Sequence, residues 1–233
     1  MRSLLTPPRS LEKEILDAPD VDPRVVTRSL ADVARSNALF GGLSSAIEEF
    51  REALSELPRC ASLLDVGTGL GDIPRQARQV ADESGIELRA FGLDSAEELA
   101  RASRSAVDCV VCGDALQLPF ADRSVDVVMC SQVLHHFSHD DAIALLREMD
   151  RVARVRVIVS DLRRSWIAAM GLWLASFPLR FHAVSRHDGV VSVMRGFTPD
   201  ELTDTVREAV ARPAIVRRRR VFRVTASWAP RHR

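Results

Sequence analysis

The amino-acid sequence predicts an α/β fold with a doubly wound, mainly parallel sheet. From Ala61 onward, short apolar runs alternate with amphipathic helical segments, and this alternation is typical of parallel strands covered by helices on both faces. The first apolar run leads into a glycine-rich turn, and such turns bind small ligands at the carboxyl ends of parallel strands. At 233 residues the chain has the length of one such domain.

The same patterns predict seven strands. Five parallel strands and a C-terminal antiparallel hairpin are expected at residues 62–66, 87–93, 107–112, 125–130, 155–160, 214–218 and 221–228. Helices are expected between them at residues 73–84, 96–104 and 140–153. A further helix begins after Thr198, because Pro199 suits the first helical position and Glu201 completes a capping box.

Two helical regions precede or interrupt this pattern. Residues 1–58 contain early prolines and then apolar residues at helical spacing, so we expect a helical lid before a main domain at 59–233. Residues 163–197 are expected to form an apolar helical insert after the fifth strand. Because 165–177 is apolar on nearly all sides, it could be buried, wall a pocket, form a dimer or rest on a membrane surface.

The composition excludes several kinds of partner. The 32 basic residues balance 32 acidic ones, so no net charge attracts nucleic acid and we expect none as a partner. The longest apolar stretch, 166–177, is too short to cross a membrane. Residues 1–10 lack the apolar core of a signal peptide. We therefore expect a cytoplasmic monomer or homodimer with at most peripheral membrane contact.

The four cysteines are expected to be structural. Cys109 and Cys112 form a C-x-x-C pair, but residues three apart on a strand point to opposite faces, so their sulfur atoms should diverge. Cys60 and Cys130 lie in or beside apolar runs. We predict buried, unreactive thiols and no bound metal.

The turn after the first strand has three glycines at alternate positions. Gly67, Gly69 and Gly71 follow Asp65 in the order D-x-G-x-G-x-G. Glycine lets the backbone turn sharply and approach a ligand without a Cβ, and the helix that follows begins with free amides that favour an anionic group. Proteins that bind dinucleotides use the spacing G-x-G-x-x-G, so the pattern disfavours a nicotinamide cofactor.

Two further acids follow the next two strands. Asp94 ends the second strand and could accept hydrogen bonds from ribose hydroxyls, although an Asp there also suits a helix cap. Asp114 follows the third strand and could accept from the amine of a base, although an ordinary Asp turn is the alternative. Because parallel strands end at one edge of the sheet, these acids are expected beside the same ligand.

Together these segments resemble the motifs of class I S-adenosylmethionine-dependent methyltransferases. Residues 65–71 resemble the glycine motif, 113–120 the adenine-binding loop, and 124–137 the segment that follows strand four in methyltransferases of ubiquinone and menaquinone biosynthesis. The resemblance covers residues 60–162 and implies a Rossmann-like seven-stranded sheet with S-adenosylmethionine as cofactor. The cofactor-binding residues that it implies are Asp65, Gly67, Thr68, Gly69, Gly71, Asp94, Ser95, Asp114, Ala115, Ser131 and Gln132.

The end of the predicted lid resembles a known closing segment. Residues 29–42 are similar to the N-terminal part of bacterial small-molecule methyltransferases, which closes over the cofactor. The resemblance implies that Arg35 or Asn37 contacts the methionine carboxylate. Helix capping or surface solvation is the alternative role for both side chains.

Three histidines are candidates for proton transfer. His135 and His136 follow strand four beside the expected methyl position, where an imidazole could take a proton from the acceptor, or could simply pack or cap. His187, with an acid and a glycine after it, could be an oriented base on a tight turn or part of a solvated loop. Residues 186–197 resemble an insert of bacterial enzymes that accompany polyketide synthases, which implies an aromatic or polyketide-like acceptor.

The expected function is methyl transfer to a small hydrophobic, aromatic or quinol-like acceptor, with oxygen as the favoured methyl-accepting atom. Two other functions stay open at this point. One is an NAD(P)-dependent oxidoreductase, and the other is a non-catalytic subunit that binds S-adenosylmethionine or a partner protein.

Overall fold

The computed structural model of this protein describes residues 6–18 and 21–230. Residues 1–5 and Pro19, which entered the sequence predictions about the N-terminal region, lie outside the described residues. The strands are β1 (Cys60–Val66), β2 (Glu87–Asp94), β3 (Cys109–Cys112), β4 (Val125–Ser131), β5 (Ala153–Leu162), β6 (Ile215–Arg219) and β7 (Arg223–Trp228). The α-helices are α1 (Pro23–Leu39), α2 (Gly42–Ala53), α3 (Asp72–Glu83), α4 (Glu97–Ala102), α5 (His139–Val152), α6 (Trp166–Ser176), α7 (Ala183–Arg195) and α8 (Pro199–Val210).

The seven strands form one sheet in the order β3-β2-β1-β4-β5-β7-β6. Strands β1 to β5 pair in parallel, and β7 pairs antiparallel with both β5 and β6. This arrangement confirms the predicted Rossmann-like sheet with a C-terminal antiparallel hairpin. The strand order reverses between β1 and β4, and open α/β sheets bind ligands beyond the carboxyl ends of the strands at such a point.

Helices cover both faces of the sheet because successive strand residues point to opposite sides. In β4, Val127 and Met129 pack in one cluster with residues of α2 and α3, such as Phe50. Val128 and Cys130 belong to the other cluster, which contains residues of α5 and α8. Both faces of β4 are therefore buried, which explains why its sequence is a nearly continuous apolar run.

The predicted N-terminal lid has two different environments in the structure. Helix α2 packs in the layer of helices that covers the sheet, and its Phe50 is fully buried. Helix α1 contributes residues such as Val33 and Asn37 to the wall of a large cavity. The sequence boundary at residue 58 therefore does not coincide with a gap in packing.

Several local predictions hold in detail. Thr198 Oγ1 accepts a hydrogen bond from the backbone N–H of Glu201 (3.2 Å), and the Glu201 carboxylate accepts one from the Thr198 N–H (2.9 Å). This is the predicted capping box at the start of α8. The last strand, by contrast, begins later than predicted, because Val221 and Phe222 adopt left-handed φ angles in the hairpin turn.

The prediction of buried cysteines is wrong for three of the four. Cys130 is buried in β4, whereas Cys60, Cys109 and Cys112 are exposed, and all four are free thiols. Cys109 and Cys112 lie on β3, which is an edge strand of the sheet. An edge strand has a neighbour on one side only, so its apolar pattern does not guarantee burial.

The insert after β5 consists of α6 and α7. His187 and Gly189 were expected in a tight turn or loop, but both lie inside α7. Gly189 faces α6, since a Cβ there would lie 3.0 Å from Leu172 Cδ2. The glycine therefore allows two helices to approach closely. No helix in the described part of the chain is both long and apolar enough to span a bilayer.

Candidate active site

A cavity of about 1370 Å³ lies at the carboxyl ends of β1 to β4. Its walls come from the turns after these strands, from α1, from the insert α6–α7 and from residues 14–17. Ligand pockets commonly occupy about 300–1,000 Å³, so this space can hold two ligands side by side. The cavity lies at the point of the sheet where the strand order reverses.

Nearly all sequence-predicted site residues line this cavity. They are Arg35, Asn37, Asp65, Gly67, Thr68, Gly69, Asp94, Ser95, Asp114, Ala115, Ser131, Gln132, His135 and His136. Gly71 and His187 are not among the lining residues. The two exceptions contact other parts of the protein instead.

The glycines of the turn after β1 have different surroundings. Gly69 has φ +54°, and a Cβ there would meet no described atom within 4 Å, so its backbone borders open cavity space. Gly71 has φ +75°, and a Cβ there would lie 2.5 Å from the Cβ of Ala106. Gly69 therefore provides room for a ligand, whereas Gly71 provides room for the protein's own packing.

Asp65 is a buried carboxylate with an unused acceptor. It is 1% exposed, and its Oδ1 atom has no hydrogen-bond partner within the described residues. Burial, with the neighbouring carboxylates of Asp94 and Asp72, raises the pKa of Asp65 to about 7. Thr68 Oγ1 and Ser131 Oγ are also buried without a partner among the described residues. Unpaired buried polar atoms are costly, so this edge of the cavity fits a polar ligand with donors and acceptors of its own.

Asp94 links the glycine turn to the turn after β2. Its Oδ2 accepts a hydrogen bond from the Gly69 N–H (2.9 Å), and its Oδ1 accepts one from the Ala96 N–H (3.0 Å). Each carboxylate oxygen can accept a second hydrogen bond, so the carboxylate can hold the backbone and still receive ribose hydroxyls. Asp114 forms the ordinary Asp turn, accepting from the Leu116 N–H (2.9 Å), and also lines the cavity.

The N-terminal segment meets the turn after β4. A Cβ on Gly42 would lie 3.2 Å from Asn37 Oδ1 and 2.4 Å from Gln132 Nε2, so both side chains lie against this glycine. Gln132 has a left-handed φ of 57°, and its N–H donates to the Ser160 carbonyl (2.8 Å). The turn after β4 therefore holds Gln132 in a conformation that non-glycine residues adopt uncommonly.

Arg35 joins α1 to the insert. Its guanidinium pairs with Asp32 and donates to the Leu179 carbonyl (3.3 Å). It also lies 5.3 Å from the ring centroid of Phe181. Arg35 therefore holds the loop between α6 and α7 against α1 at the rim of the cavity.

His135 is held by a buried carboxylate that the sequence predictions missed. Its Nδ1 atom lies 2.6 Å from Asp161 Oδ1, and its backbone N–H donates to Asp161 Oδ2 (3.1 Å). Burial disfavours a charged imidazole, but Asp161 and Glu14 outweigh it and raise the pKa of His135 to about 9. The same pairing outweighs burial at the other partner and lowers the pKa of Asp161. At neutral pH the two residues therefore form an imidazolium–carboxylate pair.

Residues 14–17 bring two more carboxylates to the histidines. Glu14 Oε1 lies 3.8 Å from both His135 Nε2 and His136 Nδ1, and Asp17 Oδ1 lies 3.6 Å from His136 Nδ1. The rings of the two histidines have centroids 4.3 Å apart. Although burial opposes ionisation of Glu14, these histidines outweigh it and lower the pKa of that carboxyl.

One ligand atom each from Glu14, His135 and His136 lies within 4.8 Å of the others. Ligands bound to zinc at about 2.1 Å lie roughly 3.4 Å apart in a tetrahedral site, which is closer than the 3.8 Å separations from Glu14. The cluster therefore fits a set of ion pairs better than a metal centre. The expected absence of a metal stays a prediction.

Asp188 holds residues 14–17 against α7 by hydrogen bonds. Its two carboxylate oxygens accept hydrogen bonds from the N–H groups of Ile15 and Leu16, both at 2.9 Å. Ser192 Oγ, one turn later on α7, donates to Glu14 Oε1 (2.5 Å). His187 contacts this arrangement from outside the cavity, with its Nδ1 2.9 Å from Asp188 Oδ1.

The sequence predictions missed four acidic residues in and around the site, which are Glu14, Asp17, Asp161 and Asp188. Asp161 had a usable signal, because it lies near the end of β5, as Asp65 and Asp94 do on their strands. Glu14 and Asp188 had none, because they are 174 positions apart in the chain and only folding brings them together.

Comparison with known proteins supports the resemblance seen in the sequence. A family model described as a methyltransferase domain matches residues 64–159. A demethylmenaquinone methyltransferase of Roseiflexus castenholzii is 29% identical over 220 residues, which cover 85% of this chain and 90% of that protein. A demethylmenaquinone methyltransferase of another Roseiflexus strain is 32% identical over 157 residues, covering 64% of this chain and 63% of its own length.

Solved structures share the fold. An S-adenosylmethionine-dependent methyltransferase of Aquifex aeolicus superposes with a TM-score of 0.59 at 16% identity, covering 90% of this chain and 98% of that chain. Magnesium protoporphyrin IX methyltransferase of Synechocystis with bound S-adenosylhomocysteine has a TM-score of 0.57 at 14% identity, covering 90% and 100%.

The sheet order and these matches define one class of enzyme: the chain is a class I S-adenosylmethionine-dependent methyltransferase. Within that class it is similar to the methyltransferases of ubiquinone and menaquinone biosynthesis. Its cofactor is S-adenosylmethionine, and the open space at Gly69 and the unpaired atoms around Asp65 fit that group.

Proposed function

We propose that this enzyme transfers the methyl group to a hydroxyl oxygen of a small aromatic acceptor. The observation that carries the proposal is that His135 and His136 line the same cavity as the glycine turn. The cofactor supplies a methyl group on a positively charged sulfur. A cofactor beside Gly69, Asp65 and Asp94 and an acceptor beside the histidines would therefore meet in one cavity, where alignment of the two favours the transfer.

The remainder of the cavity suits an apolar acceptor. Apolar residues of the insert, including Ile167, Ala168, Leu172 and Phe181, line the wall that the insert provides. An aromatic ring packed there would lie beside the polar group of histidines and carboxylates. This combination of an apolar wall and a few polar groups is typical of sites that orient a small molecule.

The two histidines have different roles in this proposal. His135 is already an imidazolium at neutral pH, because its pKa is raised to about 9 by Asp161 and Glu14; it stabilises a developing phenolate. His136 is half-buried and faces Glu14 and Asp17, so it takes the hydroxyl proton while those carboxylates stabilise the resulting cation. With the cofactor bound, the deprotonated oxygen would take its methyl group, and the electron pair of the carbon–sulfur bond would stay on sulfur.

His136→Ala tests this role. We expect kcat to fall about 100-fold, within the usual range for loss of a general base, while cofactor affinity measured by calorimetry stays the same. His139→Ala is the matched control, because His139 is exposed and pairs only with Glu208 among the described residues. Formation of S-adenosylhomocysteine from a panel of phenols and quinols is the readout. Equal rates for the two variants would refute the proposed proton transfer.

The names of the relatives favour a different acceptor atom, a ring carbon instead of a hydroxyl oxygen. The Roseiflexus relatives are demethylmenaquinone methyltransferases, and a Paraburkholderia phymatum relative, 28% identical over 140 residues, is a C-methyltransferase of ubiquinone and menaquinone biosynthesis. Removal of a hydroxyl proton also makes ring carbons of a quinol more nucleophilic, so the same residues would serve that reaction. NMR of the isolated product distinguishes a methyl on oxygen from a methyl on carbon.

A further inference from the structure

Helix α6 carries an apolar face that the described part of the chain leaves exposed. The side chains of this face are between 46% and 60% exposed, and they are Trp166, Ile167, Met170, Trp173, Leu174 and Phe177. They lie on an eleven-residue helix and at the residue that follows it. A contiguous patch of this kind on a protein surface marks an interaction site.

The same helix forms part of the cavity wall. Ala168 and Leu172 face the cavity, and Ile167 and Gly171 both line the cavity and belong to the exposed side. The edge of the cavity therefore meets the protein surface along α6. A ligand that entered there would pass directly from the apolar face to the interior.

The surroundings of the apolar face are positively charged. Residues 162–187 contain four arginines and no Asp or Glu. Arg164 is buried and pairs with Glu201, whereas the other three are at least partly exposed. Arg180 is exposed just after α6, and the guanidinium of Arg186 lies 3.9 Å from the ring centroid of Phe177. The side chain of Arg35 reaches the same loop from α1, but its charge is paired with Asp32, so the attraction to anions rests on Arg180 and Arg186.

We propose that the apolar face of α6 docks on the surface of an anionic phospholipid membrane. The helix would lie in the plane of the interface, with Trp173 and its neighbours between the head groups and Arg180 at the phosphates. The docking itself does not depend on the methyl acceptor. Its consequence, that a lipid-soluble acceptor enters the cavity beside Ile167 and Gly171, rests on the proposed function.

Vesicle binding tests the proposal with the full chain. We expect co-sedimentation with vesicles of phosphatidylcholine and phosphatidylglycerol, and at least about fivefold weaker binding to phosphatidylcholine alone. Leu174→Ser should weaken binding to the mixed vesicles about tenfold. Ile215→Ser is the matched control, since Ile215 is 51% exposed and Leu174 is 55% exposed. The control should bind like the wild type. Arg180→Gln should lower binding only to the anionic vesicles.

Tryptophan fluorescence gives a second readout. Trp166 and Trp173 are on the apolar face, whereas Trp228 is 2% exposed, so brominated lipids should quench the wild type but not a Trp166→Phe, Trp173→Phe double variant.

The proposal is overturned if the wild type does not bind, or if Leu174→Ser and Ile215→Ser bind equally well. A dimer by light scattering that Leu174→Ser dissociates, without vesicle binding, would instead assign this face to a second copy of the chain. A methyl-transfer screen that fails while vesicle binding persists would refute the proposed function alone.

Discussion

Gly69 and Gly71 belong to the same motif, but the two positions require glycine for different physical reasons. Gly69 borders open cavity space, and Gly71 packs against Ala106. Gly69→Ala should weaken S-adenosylmethionine binding about tenfold, because the new methyl group takes ligand space, and should cost about 1 kcal/mol of stability for its left-handed backbone. Gly71→Ala should instead lower the free energy of unfolding by roughly 2–4 kcal/mol. Calorimetry and urea unfolding measure the two effects, and similar results for both variants would contradict this division.

Asp65 couples stability to pH. Its pKa in the folded protein is about 7, above the ordinary 3.8, so the folded state holds its proton more tightly than the unfolded state does. The protein therefore loses stability as pH rises from about 4 to 7. Asp65→Asn removes this loss, and the variant should exceed the wild type by roughly 2–4 kcal/mol at pH 8 but not at pH 4.

The same substitution should weaken cofactor binding. The unpaired Oδ1 of Asp65 is available to a donor on the ligand, and loss of a charged hydrogen-bond acceptor costs about tenfold in affinity or more. Unfolding curves at the two pH values and calorimetry at pH 8 check both parts. A variant that is less stable than the wild type at pH 8 would show that burial is not the dominant effect at this position.

The segment containing residues 14–17 depends on α7 for its position. Asp188→Ala removes the acceptor for the N–H groups of Ile15 and Leu16, so Glu14 should leave the histidines and kcat should fall about tenfold. Asp204→Ala is the control, because Asp204 is exposed on α8 and pairs with Arg207 in the same helix.

Proteolysis measures directly whether the segment containing residues 14–17 detaches from α7. Lys13 is the only lysine of the chain, so a protease specific for lysine can cut at one place, next to Glu14. We expect cleavage of Asp188→Ala about tenfold faster than cleavage of wild type or Asp204→Ala. Equal cleavage rates would mean that Asp188 does not hold this segment.

Cofactor binding should stabilise the whole protein. A ligand at 100 times its dissociation constant adds about 2.7 kcal/mol, which corresponds to a rise in Tm of about 5–10 °C for a chain of this size. S-adenosylmethionine should produce this rise and NAD should not, because the cavity edge follows the D-x-G-x-G-x-G spacing. Thermal unfolding monitored with each ligand makes the comparison. A matching rise with NAD would revive the oxidoreductase alternative.

Local patterns predicted which residues line the cavity at the carboxyl ends of the strands; their binding of the cofactor stays a prediction. Asp65, Gly69 and Asp94 could be located from the sequence because a strand's carboxyl end and a glycine spacing are local properties, and the parallel sheet brings such ends to one edge. His187 was misplaced because Gly189 was interpreted as a turn. In the structure that glycine allows α7 to approach Leu172 of α6, which is a tertiary reason that no local pattern contains.

The sequence by itself therefore determined the fold class, the parallel sheet with its C-terminal antiparallel hairpin, and the cofactor. Only the tertiary structure decided the charge state of His135, the position of Glu14 and the exposure of α6. The physical reason is that backbone turns and strand patterns depend on neighbouring residues, whereas desolvation and ion pairing depend on distant ones. His135 and Asp161 are 26 positions apart, and Glu14 is 121 positions from His135; their pairing exists only once the chain has folded.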